Sequence, residues 1–438
     1  MTDTRQRPLI SYYGDDFTGS TDVMEALASN GVETVLFLKI PDDALIARFG
    51  DARAVGLAGT SRSQTPEWME VHLSAALAWL KDRHAELCHY KVCSTFDSAP
   101  HVGSIGRAIE IGRAVFGPAT IPLIVGAPQI RRYTAFGELF AAYQGRNYRI
   151  DRHPVMARHP VTPMDEANVL THLARQTALS STLLDLVALA SGAEPETADI
   201  LLVDVLDAAT QEAAGALLWD RLRGRSRFVC GSSGVEYALI PTWRRLGLIG
   251  EKPLFEAAGP ADRIAVVSGS VSPTTERQIR HALNHGFGGV ALDALALAGE
   301  GAETEIAAAV ENGLDHLGQG RSVVLYSALG PSADRGGDLD AAAGARHRLG
   351  QSLGRIQAAL VARAGLTRAV IAGGDTSSHA LGEMGIAALT LKMPLPQTPG
   401  SPLCVAHGGD CDGLEIALKG GQVGGDDYFS MIQSGRMT

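Results

Sequence analysis

The sequence predicts an α/β protein of two domains, each a mainly parallel sheet flanked by helices, with the functional site in the cleft between the domains. Three observations lead there. Short apolar runs alternate with helical patterns along nearly the whole chain, as in sheets covered by helices on both faces. The alternation breaks once, over residues 244–262, in a stretch rich in Gly, Pro and Ala. Fifty glycines among 438 residues supply the tight turns and close backbone approaches that such an alternation needs.

The first strand is expected over residues 8–13, which are apolar and aromatic, and Thr18 or Ser20 is placed to cap a helix carrying Val23, Met24, Ala26 and Leu27. Further strands are expected at 32–39, 54–58, 89–93, 121–125, 200–205 and 227–230, with helices at 66–87 and 103–116. After the break the same grammar resumes, with strands at 263–267, 323–326, 369–372 and 403–406 and helices at 274–285 and 346–364. The expected domains are therefore 1–245 and 260–438. No repeat of 20 to 50 residues suggests a solenoid.

Composition narrows the function. Forty-five per cent apolar and 20% charged residues are ordinary globular values. A formal net charge of −10 argues against a general nucleic-acid binder, while leaving room for a local basic pocket. Cys88, Cys93, Cys230, Cys404 and Cys411 are odd in number and form no C-x-x-C pair, so free thiols are expected rather than a disulfide framework or a zinc ribbon. The start is polar with no secretory pattern, and no apolar run reaches transmembrane length, so no membrane partner and a reducing cytoplasm are expected.

Candidate chemistry sits at strand ends, where α/β proteins bind ligands. In the first domain these are Asp15 and Asp16, the segment Thr60-Ser61-Arg62-Ser63, and Lys91 to Ser98. Together they offer anions, cations and hydroxyls, the mixture a small polyhydroxylated acid requires. Arg62 or Lys91 can hold a carboxylate, and one aspartate can accept hydrogen bonds or act as a general base. The plainer account is that the aspartates dress a helix start and Arg62 makes a surface ion pair, though a lysine among apolar neighbours needs a partner. In the second domain, glycine-marked junctions at Ser268 to Ser272, Gly373 to Ser378 and Lys419 to Gly425 can present backbone N–H groups to phosphates, and Asp375 can alternatively orient Mg²⁺ or a nucleotide hydroxyl. Each such turn could exist for steric reasons alone. No Walker A or H-R-D pattern is present. His153, His159 and His172 show no metal-ligand spacing, and no metal ligand is assigned.

In order and spacing, Gly14 to Gly19, Thr60 to Ser63, Lys91 to Ser98, His159 to Met164, Ser268 to Ser270, Gly373 to Thr376 and Asp427 to Phe429 resemble the four-carbon acid sugar kinase family nearly end to end. The resemblance implies an ATP- and Mg²⁺-dependent kinase, with a sugar acid bound by the N-terminal domain and the nucleotide by the C-terminal one. It implies Asp16 as the catalytic residue, or Asp15, with Asp15, Arg62, Lys91, Ser94 and Thr95 on the substrate. Ser268, Gly373, Gly374, Asp375, Thr376, Gly421 and Gly424 would bind the nucleotide. Cys93-Ser94-Thr95-Phe96-Asp97-Ser98 resembles the branch acting on 3-oxo-tetronates. The segments 127–133 and 148–154 depart from the tetronate pattern, and Arg131, Arg132, Arg149 and Arg152 could shape a pocket for a branched acid such as 3-oxo-isoapionate or form a solvated basic face. The expected partner is a small sugar acid, and a homodimer is left open. The competing class is a non-catalytic protein binding a sugar acid and a nucleotide. A nicotinamide dehydrogenase is weaker, because no G-x-G-x-x-G follows a strand with an acidic residue at the right distance.

Overall fold

The computed structural model describes residues 7–342, 344–398 and 400–437, leaving out the side chains of Asp340 and Asp375. The chain divides into two compact units, Met1–Pro253 and Leu254–Thr438.

In the first unit the strands are β1 (Ile10–Gly14), β2 (Thr34–Phe37), β3 (Ala54–Ala58), β4 (Leu87–Lys91), β5 (Ile121–Ile124), β6 (Arg132–Ala135), β7 (Glu138–Tyr143), β8 (Arg146–Arg149), β9 (Ser181–Leu184), β10 (Ile200–Val203) and β11 (Phe228–Gly231). The helices are α1 (Phe17–Ala28), α2 (Asp43–Arg48), α3 (Pro66–Lys81), α4 (Ile105–Phe116), α5 (Val169–Leu173), α6 (Leu186–Ala190), α7 (Ala208–Ala216) and α8 (Gly234–Arg245). The main sheet runs β2-β3-β1-β4-β11-β5-β10-β9 with every pairing parallel. Its central strands are apolar and buried along their length, because helices cover both faces. Helix α3 packs on α4, and α1 and α7 pack on α8. The crossover through α1 runs outward to β2, whereas that through α3 runs the other way to β4, so right-handed connections put the two helices on opposite faces. The carboxyl ends of β1 and β4 therefore flank a topological switch point.

Several boundaries differ from the expected ones. The helix expected over 66–87 stops at Lys81, because His84 turns into a left-handed conformation (φ 55°) and Leu87 opens β4. Neither Thr18 nor Ser20 caps α1. Asp16 does, its side chain accepting from the Gly19 amide at 2.6 Å. Strands β6, β7 and β8 form a separate antiparallel sheet that the apolar-run reading did not anticipate. Its two hairpin turns, Phe136-Gly137 and Gln144-Gly145, each hold two consecutive residues at positive φ, the two-residue turn whose twist suits antiparallel strands.

The second unit carries β12 (Ala265–Ser268), β13 (Gly288–Ala291), β14 (Val323–Tyr326), β15 (Arg368–Ala372), β16 (Ala388–Met393), β17 (Leu403–His407) and β18 (Glu415–Lys419). Its helices are α9 (Pro273–Asn284), α10 (Ala294–Ala298), α11 (Ala302–Gly318), α12 (Gly336–Asp340), α13 (Ala345–Ala364), α14 (Gly374–Glu383) and α15 (Tyr428–Ser434). The strand order is β13-β14-β12-β15-β18-β17-β16, parallel from β13 to β18 and antiparallel beyond. The connection after β12 runs to β13 and that after β15 runs to the opposite side, which makes the β12/β15 ends a second switch point. All five cysteines are free. Among the described residues no helix is long and apolar enough to cross a membrane.

Candidate active site

At the first switch point the β1–β4 ladder continues for one more bond, from the Asp15 amide to the Lys91 carbonyl at 2.9 Å. This fixes Asp15 directly beyond the sheet, with its side chain buried and Oδ1 lacking a partner among the described residues. Burial, then the neighbouring Asp16, pushes the Asp15 carboxyl up to about 7, against the pull of Arg62 and Lys91. Asp16 is held quite differently. One oxygen caps α1, and the other accepts from Arg62 Nη1 at 2.9 Å.

Arg62 bridges the loops that follow β3 and β4. Its Nη2 forks onto Asp97 at 2.9 and 2.7 Å. Burial pushes Asp97 up, but Arg62 and Thr95 outweigh it, and the carboxyl lies below its usual range. Asp97 also accepts from Thr162 Oγ1 at 3.3 Å, and that hydroxyl lies 3.0 Å from His159 Nδ1. His159, passed over for want of a metal spacing, thus borders the cluster; the signal was its place in the motif segment His159 to Met164. Phe96, buried and at φ 57°, makes the turn that carries Thr95 and Asp97 back toward Arg62. Cys93 Sγ contacts Thr95 Oγ1 at 2.9 Å. Ser94 lies half-buried between them, with no side-chain hydrogen bond among the described residues.

Lys91 is buried beneath α1. Its Nζ lies 3.7 Å from Asp22 and donates to the Val92 carbonyl at 3.0 Å. Burial lowers the ammonium, yet Asp22, Asp15 and Asp16 together raise it above its ordinary value. Gly19 makes room, since a Cβ there would stand 2.6 Å from Asp16 Oδ1 and 3.0 Å from Lys91 Nζ.

Among the four arginines of the departing segments, Arg149 pairs with Asp151 and Glu138, Arg131 is exposed and reaches the Gly145 carbonyl, and Arg152 is exposed. Arg132 is different. It is half-buried, donates to the carbonyls of Ile130 and Arg131 at 3.1 and 3.2 Å, and has no carboxylate partner among the described residues. Its Nε is buried without a partner. It pairs with Ala127 just past β5, which places it at the same end of the sheet as Asp15.

The second switch point is built from backbone. The residues after β12, those after β15 and those after β18 close on a cavity of about 430 Å³ lined by Gly269, Ser270, Ser272, Gly373, Gly374, Thr376 and Gly421, among others. Ser272 caps α9, its Oγ accepting from the amides of Thr274 and Thr275 at 3.2 and 3.3 Å while donating to the Gly421 carbonyl. Gly373 stands at φ 125°, and a Cβ on Gly269 would lie 2.3 Å from Thr376 Oγ1. Such a cradle admits an anion close to the chain, and that is the fit a nucleotide's phosphates require. Ser268 lies behind it, fully buried, with Oγ accepting from the Ser270 amide at 3.4 Å. Gly424 is set back against Tyr428 and Gln278. The side chain of Asp375 lies outside the described residues. Among those described, no group of three or more His, Cys, Asp or Glu side chains is arranged to hold a metal ion.

The charged side-chain cluster lies on one α/β unit and the glycine cradle on the other, and the comparisons give this two-domain protein its class, a sugar-acid kinase, and its family. Residues 10–239 match a family described as a sugar-binding N-terminal domain, and residues 265–429 one described as a nucleotide-binding C-terminal domain. The chain belongs to the four-carbon acid sugar kinase family. A 3-oxo-isoapionate kinase of Paraburkholderia graminis is 45% identical, covering 98% of this chain and 95% of that protein. A 3-oxo-tetronate kinase of Cupriavidus necator is 31% identical, covering 97% and 96%. Solved structures from Haemophilus influenzae (22% identical, TM-score 0.70, covering 97% of this chain and 99% of that one) and Salmonella typhimurium (24%, TM-score 0.75, 97% and 98%) share the fold.

Proposed function

We propose that this chain is an ATP-dependent kinase that phosphorylates the terminal hydroxyl of a small 3-oxo sugar acid, with the branched 3-oxo-isoapionate ahead of a 3-oxo-tetronate. The observation that carries the reading is Asp15, a buried carboxyl poised near neutral pH with one oxygen unengaged. That is the condition a general base needs. Asp16, by contrast, is committed to α1 and Arg62, so it orients the site rather than taking the proton. As the substrate oxygen attacks the terminal phosphorus, its proton passes to Asp15, the new O–P bond forms and the bond to the departing diphosphate breaks. Amides of the glycine cradle meet the phosphate charge. Mg²⁺, when bound, would neutralise phosphate charge and be held largely by the phosphates and water.

Charge balance assigns the substrate's carboxylate. Asp15, Asp16, Asp22 and Asp97 surround Arg62 and Lys91, so those two cations are already matched. Among the described residues at this end of the sheet Arg132 is the cation without a carboxylate partner, and a carboxylate bound there would complete it. The higher identity with the 3-oxo-isoapionate kinase than with the 3-oxo-tetronate kinase supports the branched acid.

The test is ATP-dependent ADP release on 3-oxo-isoapionate, 3-oxo-tetronates, threonate and erythronate, side by side. Turnover is expected on the first and weaker turnover on 3-oxo-tetronates. Turnover on threonate or erythronate alone would overturn the 3-oxo assignment, and ATP binding without ADP formation on any acid would overturn the kinase.

A further inference from the structure

Beneath the glycine cradle lies an amine with no acidic partner among the described residues. Lys419 ends β18 with its side chain fully buried. Its Nζ is 3.0 Å from Thr275 Oγ1, 2.8 Å from the Gly420 carbonyl and 3.4 Å from the Gly421 carbonyl, all neutral oxygens. The described charged groups on the surrounding elements are engaged elsewhere. On α9, Glu276 pairs with Arg280 and Arg277 with Asp426. On β15, Arg368 pairs with Glu415 at the far end of both strands. On α14, His379 packs on His347 and Glu383 accepts from Gln351, while the Asp375 side chain lies outside the described residues. On β17, His407 meets Thr390.

The atoms joining Lys419 to the cradle are few. Thr275 Oγ1 lies 3.0 Å from Ser270 Oγ and 3.2 Å from the Gly421 carbonyl, and Ser270 and Gly421 both line the cavity. The Gly373 amide donates to the Lys419 carbonyl at 2.8 Å. A neutral amine can accept the Thr275 hydroxyl proton. An ammonium must donate to that oxygen, which turns the hydroxyl toward Ser270 or Gly421. Burial, with no anion opposing it among the described residues, pulls the Lys419 ammonium down to about 7. An isolated buried charge is costly, and phosphates arriving one residue layer away would offset that cost.

We propose that Lys419 is the internal counter-charge of the nucleotide site, taking a proton from solvent when a nucleoside di- or triphosphate settles on the cradle and, through Thr275, setting the cradle's hydrogen bonds. The inference rests on reading this cavity as the nucleotide site. Lys419 is a positioning residue, since it lies behind the lining.

The experiment is calorimetric titration of the full chain with MgADP at pH 8 in buffers of different ionisation enthalpy. Uptake of about 0.5 to 0.9 proton per ADP is expected, with affinity weakening by about tenfold from pH 7 to pH 8.5. In Lys419→Met, uptake falls close to zero and the pH dependence flattens. Thr275→Val, which keeps the lysine but cuts its link, retains uptake and loses affinity. If ADP binds the parent protein with no proton uptake, or Lys419→Met keeps the uptake, the proposal is overturned while the nucleotide site stands. If the parent binds no ADP at all, the reading of the cavity falls with it. The parent measurement decides even if a variant does not fold.

Discussion

The two switch points solve opposite problems with the same topology. After β1 and β4 the site is made of side chains, with four carboxyls around two cations, so that both cations are already paired. After β12 and β15 the strand-end wall is made of backbone, with glycines, hydroxyls and one hidden amine, while Asp334, Arg335 and Arg346 line the cavity as well. On the proposed reading the first would bind a ligand whose hydroxyls must be distinguished and one of them deprotonated, which requires individually tuned groups. On the same reading the second would bind phosphates, for which amides at a helix start suffice and a Cβ is an obstacle. Substitutions in the first unit should therefore act through charge and proton transfer, and those in the second through space.

The sharpest test of that contrast is Asp15→Asn. Loss of a general base should lower kcat by about 10²- to 10⁴-fold with nucleotide affinity unchanged, and remove the limb of the pH–rate profile that rises through about 7. Stability should move the other way. A carboxyl whose folded value is raised above its unfolded one stabilises fully only below the unfolded value and loses that contribution as pH rises through about 7. Asp15→Asn should thus gain about 1 to 4 kcal/mol relative to the parent between pH 5 and pH 8, read from denaturation midpoints. A variant that keeps kcat within a few fold would remove Asp15 from the chemistry and return the role to Asp16.

The corresponding test in the second unit is Gly269→Ala, whose Cβ would stand 2.3 Å from Thr376 Oγ1. ADP affinity should fall by about 10- to 100-fold, a cost of about 1 to 3 kcal/mol for displacing packed atoms. Thr376→Ala added to it should restore part of the loss, because the clashing oxygen is gone. Failure of the double variant to recover, with Thr376→Ala alone harmless, would show that space is not what Gly269 supplies. A smaller effect is expected from Arg132→Ala. KM for the sugar acid should rise by about 10- to 50-fold with kcat changed far less, since the contact holds ground state and transition state alike. Arg149→Ala, which only breaks pairs with Asp151 and Glu138 on a partly exposed face, should stay within about twofold. Equal effects at both positions would mean a diffuse basic face rather than one carboxylate site.

Much of this was legible in the chain. That Asp15, Asp16, Arg62, Lys91 and Thr95 come together could be read because polar residues at the ends of apolar runs must meet at the carboxyl edge of a parallel sheet. The junctions at Ser268, Gly373 and Gly421 were found for the same reason. What the sequence could not express is how partners are shared. Nothing local says that Arg62 is matched by Asp16 and Asp97, that Lys91 sits under α1, or that Asp15 keeps a free oxygen, because those depend on residues such as Arg62 with Asp97 and Lys91 with Asp22, 35 and 69 positions apart, meeting in space. The α1 cap was misplaced because Thr18 and Ser20 are good capping residues too. Asp16 takes the position because its extended backbone (φ −137°) is the one that lets a side chain reach the Gly19 amide. The β6–β8 sheet was missed because its strands are half-polar, although two x-Gly turns eight residues apart were the available signal.

Gly424 separates a glycine that serves packing from one that serves a ligand. It stands at φ 90°, and a Cβ would lie 2.9 Å from the Tyr428 ring and 3.0 Å from Gln278 Nε2. That amide donates to the carbonyls of Val423 and Gly425 at 3.0 and 2.9 Å, pinning the loop between β18 and α15. Gly424→Ala should therefore cost about 1 to 3 kcal/mol of stability, from left-handed backbone and overpacking together. ADP affinity should stay within about twofold, because the strain falls on the buried side of the loop rather than on the cavity. Denaturation midpoints and ADP titration on the same sample check both halves. Affinity lost in step with Gly269→Ala, at unchanged stability, would put Gly424 in the cradle and erase the distinction.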